Sequence, residues 1–161
     1  MSLPIAGGGG RRPTRSPTHK ALDHKKMMNL GLEVEEVAED DIISSQALEE
    51  LALELGADAS HLYAAAATTT DVQVAREHAI AFVACGGICQ NWGALECLET
   101  LVDLRQERLD DGRPLFDISA RSCLDRCEHA PAVQVHTPDG TALIEQATPE
   151  KMREAVAEAC D

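Results

Sequence analysis

Four of the six cysteines fall in two pairs of identical spacing, Cys85/Cys89 and Cys123/Cys127, while Cys97 and Cys160 stand apart. Each pair follows a short apolar stretch that reads as a strand, Ala79–Ala84 before the first and Leu115–Ser119 before the second. A chain expected to be cytoplasmic has little use for structural disulfides, so clustered thiols there point to metal or redox chemistry. For all four to serve one centre, the two strands must be neighbours in one sheet, with both cysteine loops leaving at the same end. That requirement constrains the fold more than any other feature of the sequence.

The remaining local signals fit such a sheet. Asn91–Leu109 predicts a helix, with Leu95, Leu98, Leu101, Val102 and Leu109 at roughly helical spacing and Asp110-Asp111-Gly112 to end it. Ala132–His136 alternates as a strand does, and Thr141–Gln146 follows a Thr-Pro-Asp-Gly turn, so the two predict a hairpin. Thr148, Pro149 and Glu150 open a closing helix whose inward residues are Met152, Ala155, Val156 and Ala159. The order of this section is β-α-β-β-β-α. Upstream, Ser44 or Ser45 caps a helix carrying Leu48, Leu51 and Leu55, and Gly56 ends it. A second helix runs over Ala59–Ala67 until Thr68–Asp71 breaks it. Met27–Asp41 is acidic and carries no clear pattern. The expected organisation is a disordered basic tail at 1–26, a helical extension at 27–75 and an α/β domain at 76–161.

Composition narrows the partners. Hydrophobic residues make up 44% but aromatics only 2%, so the core must be built from Ala, Leu, Val and Ile. Net charge is −14; setting aside the six basic residues and one acidic residue of 1–26 leaves −19 on residues 27–161. Such a body repels phosphate backbones, which argues against nucleic acid, and most of its acids are expected to be a solvated surface. No apolar run reaches the length of about 18 residues that spans a membrane, and the first residues lack the apolar stretch of a secretory signal. They are Arg-containing and acid-poor like a transit peptide, but Gly7–Gly10, Pro13 and Pro17 spoil an amphipathic helix.

Four thiolates from two loops suit a [2Fe–2S] centre, which takes two sulfur ligands on each iron. Gly86 and Gly87 would let the backbone approach the sulfurs, and Cys89 precedes a helix whose free N–H groups favour anions. An anionic centre within an acidic body implies a low reduction potential. Dithiol exchange needs Cys-x-x-Cys, which is absent, whereas a structural zinc on the same four cysteines stays open. Cys97 and Cys160 read as core or surface thiols. His129 reads as a loop residue with local hydrogen bonds, Asp125 and Arg126 as loop charges, and His61, His78 and His136 as structural.

The segment Ser122-Cys123-Leu124-Asp125-Arg126-Cys127-Glu128-His129-Ala130-Pro131, continuing to His136, resembles the Cys-Leu-Gly-x-Cys-x-x-Ala-Pro-x-x-x-Val pattern of the small thioredoxin-like [2Fe–2S] subunit of NADH dehydrogenases. Cys89 with Gly93, Asp139-Gly140, Thr148–Lys151 and Gly56–Tyr63 also fit, so the resemblance runs from about Leu51 onward. This subunit type occurs in respiratory complex I, NAD-reducing hydrogenases and NAD-dependent formate dehydrogenases. Three differences stand out. The first cysteine loop is one residue shorter than the family's, Asp125 replaces a glycine, and Thr68–Thr70 replace aromatic residues. The resemblance implies a thioredoxin-like [2Fe–2S] ferredoxin domain with an N-terminal helical extension and a cluster on Cys85, Cys89, Cys123 and Cys127. It also implies a partner flavoprotein that binds FMN and NAD(H); this chain, lacking GxGxxG, should not bind NAD itself. The role implied is a one-electron carrier subunit. A free-standing ferredoxin and a zinc-stabilised interaction module are the alternatives.

Overall fold

The computed structural model describes residues 21–122, 124 and 130–161, without the side chains of Ile88 and Cys89. In chain order its elements are α1 (His24–Val37), β1 (Ile42–Ile43), α2 (Ser45–Leu55), α3 (Ala59–Thr69), β2 (Gln73–Val74), β3 (Ala81–Cys85), α4 (Ala94–Asp111), β4 (Asp117–Arg121), β5 (Val133–Thr137), β6 (Gly140–Ile144) and α5 (Pro149–Cys160). A 3-10 turn at Ile88–Trp92 precedes α4.

The main sheet has the order β4-β3-β5-β6. β3 pairs parallel with β4 and antiparallel with β5, and β5 pairs antiparallel with β6. A β-α-β unit followed by a β-β-α unit around this mixed sheet is the thioredoxin-like arrangement expected. The first two strands are indeed neighbours and run the same way. β4 begins at Asp117, two residues later than predicted, because the carbonyls of Pro114 and Phe116 are taken by Arg108 Nε (2.8 Å) and Arg105 Nε (3.1 Å).

Phe82 and Ile118 are register partners on β3 and β4, with Val135 opposite Phe82 on β5, and all three are buried. The two phenylalanines meet edge-on, Phe82 and Phe116 having centroids 5.1 Å apart. Ala and Leu supply most of the rest, as composition required. On α4 the structure corrects the predicted face. Leu109 is 40% exposed, whereas Arg105 and Arg108 are 2% and 3% exposed. Leu98, Leu101, Arg105 and Arg108 are all buried on the inward side of the helix.

The extension shares this core. Leu48, Leu51, Leu62 and Tyr63 join one cluster with Phe82, Leu98 and Ile118. Ser45 Oγ lies 3.2 Å from both the N–H and the carbonyl of Ile118, satisfying peptide groups on the open edge of β4. As predicted, Ser44 caps α2 and Gly56 ends it in the left-handed region. Thr68–Thr70 do not break α3 where predicted. Their hydroxyls donate to the carbonyls of Ala64, Ala65 and Ala66 at 2.8, 2.7 and 2.8 Å, and the helix continues to Thr69.

The patternless stretch after Met27 is largely α1, capped by Asp23 and lying along α3. Gly31 marks the crossing, where a Cβ would collide with Thr69 Oγ1. Gly31→Val is expected to lower stability by about 1–3 kcal/mol, read from the urea midpoint; an unchanged midpoint would show that the helices are free to separate. Among the described residues no helix is long and apolar enough to cross a membrane.

Candidate metal centre

Because β3 and β4 are parallel, their C-terminal ends lie side by side, with Cys85 in register with Arg121. Cys85 is fully buried. Just beyond it the two chains are clasped together. The N–H of Gly86 donates to the Arg121 carbonyl at 2.6 Å, and Cys85 Sγ lies 3.8 Å from the Ser122 carbonyl oxygen. At Gly87 a Cβ would collide with that same Ser122 oxygen, and at Gly86 it would press on Ala64 of α3 at 3.2 Å. Both glycines are therefore needed for close approach, as their place beside a cysteine suggested.

Gln90 closes the loop from within. Its side chain is 1% exposed; Nε2 donates to the Gly86 carbonyl at 2.7 Å, and Oε1 accepts from the N–H of Leu22 at 2.7 Å. Its own N–H donates to the Gly87 carbonyl at 3.0 Å. Sequence reasoning missed this residue, since a glutamine among loop residues carries no signal until its partners are known. Cys85 further contacts Ala94 and Ala130, with Trp92 and Leu124 against them, so the thiol sits in a small apolar cluster of its own.

The other predicted ligands are less completely described. The backbone of Cys89 belongs to the 3-10 turn, and α4 starts only at Ala94, after Gly93 in the left-handed region. The side chain of Cys89, and Cys123, Cys127, Asp125, Arg126 and His129 entirely, lie outside the described residues. What the structure adds is that Ser122, which precedes Cys123 in the chain, touches the Cys85–Gly87 segment. A thiol in a dry apolar cluster, beside a cradle that a Cβ would fill, fits a sulfur-ligated centre at this end of the sheet.

Cys97 and Cys160 are of a different kind. Cys97 is fully buried in the main core, and burial, then the charges of Glu96 and Glu150, push its thiol up to about 12. Burial also raises Cys160. Both pack with the main core, apart from the small cluster that holds Cys85. Cys97→Ser and Cys160→Ser are expected to leave the iron content of the purified chain unchanged, measured as iron per protein; loss of iron in either would overturn the four-ligand set.

A groove of about 650 Å3 opens beside Ser122, between the end of α3, β2 and the face of the sheet bearing Val83 and Gln134. Arg76, Arg121 and His136 line it. The His136 ring is held below its ordinary pKa by burial, and then by the nearby Arg76 and Arg121. The groove beside the clasp thus carries two arginines together with the carboxylate of Asp71.

No family model and no curated protein matches this chain. Among solved structures it is similar to the wild-type thioredoxin-like [2Fe-2S] ferredoxin from Aquifex aeolicus, at 20% identity and a TM-score of 0.43, over 51% of this chain and 85% of that one.

Proposed function

We propose that the chain is a one-electron carrier holding a [2Fe–2S] cluster on Cys85, Cys89, Cys123 and Cys127, as a subunit of an NAD(H)-linked, flavin-containing oxidoreductase complex. The observation that carries this reading is the clasp of Gly86 and Gly87 against Arg121 and Ser122, which brings the residues flanking two of the cysteines into contact. When bound, such a cluster takes up and gives back one electron at a time. NAD(H) exchanges two as hydride, so the FMN and NAD(H) sites belong on a partner flavoprotein that converts one regime into the other.

The chain's own residues have three tasks in this reading. Gly86 and Gly87 let backbone N–H groups come near the sulfurs, and Gln90 holds the loop in that shape. Ala94, Ala130, Trp92 and Leu124 keep water from Cys85, which strengthens every charge interaction there. Arg121 offsets part of the negative charge that four thiolates bring. The helical extension supports a subunit over a free-standing ferredoxin, because the sheet domain alone supplies all four cysteines.

Purified full-length protein should carry about two irons per chain and absorb visible light, with a paramagnetic signal on reduction. A colourless protein holding zinc would instead support the interaction module. Co-purification from the native cell with an FMN-containing flavoprotein separates a subunit from a free carrier; a chain recovered without one would favour the latter.

A further inference from the structure

We propose that Glu77, His78 and Asp117 form a second, mononuclear site for a divalent transition cation of the zinc type, at the end of the sheet opposite the cysteine loops. Asp117 opens β4 in register with Ala81, four residues before Cys85, or roughly 13 Å along the strand. The two sites are therefore separate.

One buried carboxylate oxygen at this end of the sheet has no hydrogen-bond partner among the described residues. The Asp117 side chain is 4% exposed. Its Oδ2 accepts from the N–H groups of Glu77 and His78, both at 2.7 Å, which pins the segment entering β3. Its Oδ1 is buried and accepts no hydrogen bond among the described residues. Leaving a buried charged oxygen unsatisfied costs at least about 1–3 kcal/mol, so an unmodified fold has reason to eliminate it.

What faces that oxygen is a ligand set. His78 Nε2 lies 3.8 Å from Oδ1, beyond hydrogen-bond range. Two atoms bound to one tetrahedral zinc at about 2.0–2.2 Å stand roughly 3.4 Å apart, so a movement of a few tenths of an ångström suffices. A carboxylate oxygen of Glu77 completes a trio whose ligand atoms all lie within 4.8 Å of one another. One imidazole and two carboxylates favour a borderline transition ion over magnesium or calcium, which prefer oxygen alone. They also balance a double positive charge. Glu77 is exposed and the His78 side chain 30% exposed, which gives the ion a route from solvent. A second trio, Asp58, His61 and Glu99, lacks this driving force: none of its oxygens is both buried and unpartnered.

In the sequence His78 reads as structural, and no local pattern singles out Glu77 or Asp117. Only the parallel pairing of β3 with β4 brings Asp117 beneath the other two.

The test is calorimetric titration of the full chain with zinc chloride in a non-chelating buffer, on the native protein and on Glu77→Gln and His78→Gln. These substitutions sit at solvent-accessible positions, whereas Asp117→Asn would also disturb two backbone hydrogen bonds. One zinc binding event is expected that weakens by about tenfold or more in each variant, with visible absorption from the cysteine end unchanged. Zinc binding of equal strength in the native chain and both variants places the ion elsewhere, the cysteines included, and overturns the proposal. Absence of zinc binding also overturns it.

Discussion

Cys85→Ser, made in the full chain, is expected to abolish iron incorporation and visible absorption together, while Cys97→Ser keeps both. Serine offers an alcohol of far higher pKa in place of a thiolate, and Cys85 lies in an apolar cluster with Ala94 and Ala130 where a poor ligand gains nothing from solvent. The same variant should lose stability on the order of a few kcal/mol relative to the cluster-loaded protein, because ligand binding to the folded state alone is itself folding free energy. Cys123→Ser is expected to behave alike. Colorimetric iron and sulfide assays with thermal unfolding supply the readout. Full cluster occupancy in Cys85→Ser would remove the proposed ligand set at its best-described member.

Glu49→Ala should be the most damaging substitution away from the cysteines, costing about 3–5 kcal/mol. Glu49 is 4% exposed and Arg105 2%, and the two are joined by Arg105 Nη1 at 2.9 Å from Glu49 Oε1. Tyr63 OH donates to the other carboxylate oxygen at 2.9 Å, and Gln106 Nε2 donates to Oε1. Burial, and then the Glu49 charge, hold the Tyr63 phenol well above its usual pKa, so it remains a donor. Removing Glu49 leaves a buried guanidinium that, among the described residues, keeps the Phe116 carbonyl and Gln46 Oε1 as its hydrogen-bond partners.

The penalty arises from stranding Arg105 rather than from losing an attraction. Glu49→Met combined with Arg105→Leu should therefore recover most of the loss. Equilibrium urea unfolding of the three proteins checks this. A double variant as unstable as Glu49→Ala would show that packing, not the stranded charge, sets the cost. Glu49 and Tyr63 also join α2 to α3, and α3 carries Ala64 against Gly86. Iron retention in Glu49→Ala is accordingly expected to fall with stability.

Much of the scaffold was legible because its signals are local. Ser44, Gly56, Gly112 and Thr148-Pro149 each mark a helix end through the chemistry of their own backbone, and each does so in the structure. The apolar run before Cys85 and the Thr-Pro-Asp-Gly turn placed β3 and the β5–β6 hairpin for the same reason. The cysteine spacing singled out the candidate centre by valence alone, and Gly86 and Gly87 by their lack of a side chain.

What could not be read depends on partners distant in the chain. Arg105 is buried against Glu49 of another helix, a partner that no local pattern reveals, while Leu109 stays 40% exposed. Thr68 and Thr69 remain helical, with their hydroxyls bonded back to Ala64 and Ala65 and α1 packed across them at Gly31. Gln90 and Asp117 acquire roles only once Leu22 reaches one and Glu77 and His78 reach the other. A cap or a turn is stabilised within a few residues, so composition and spacing encode it directly. A buried charge or a binding trio gains its energy from contacts that exist only after the sheet has paired and the helices have closed over it.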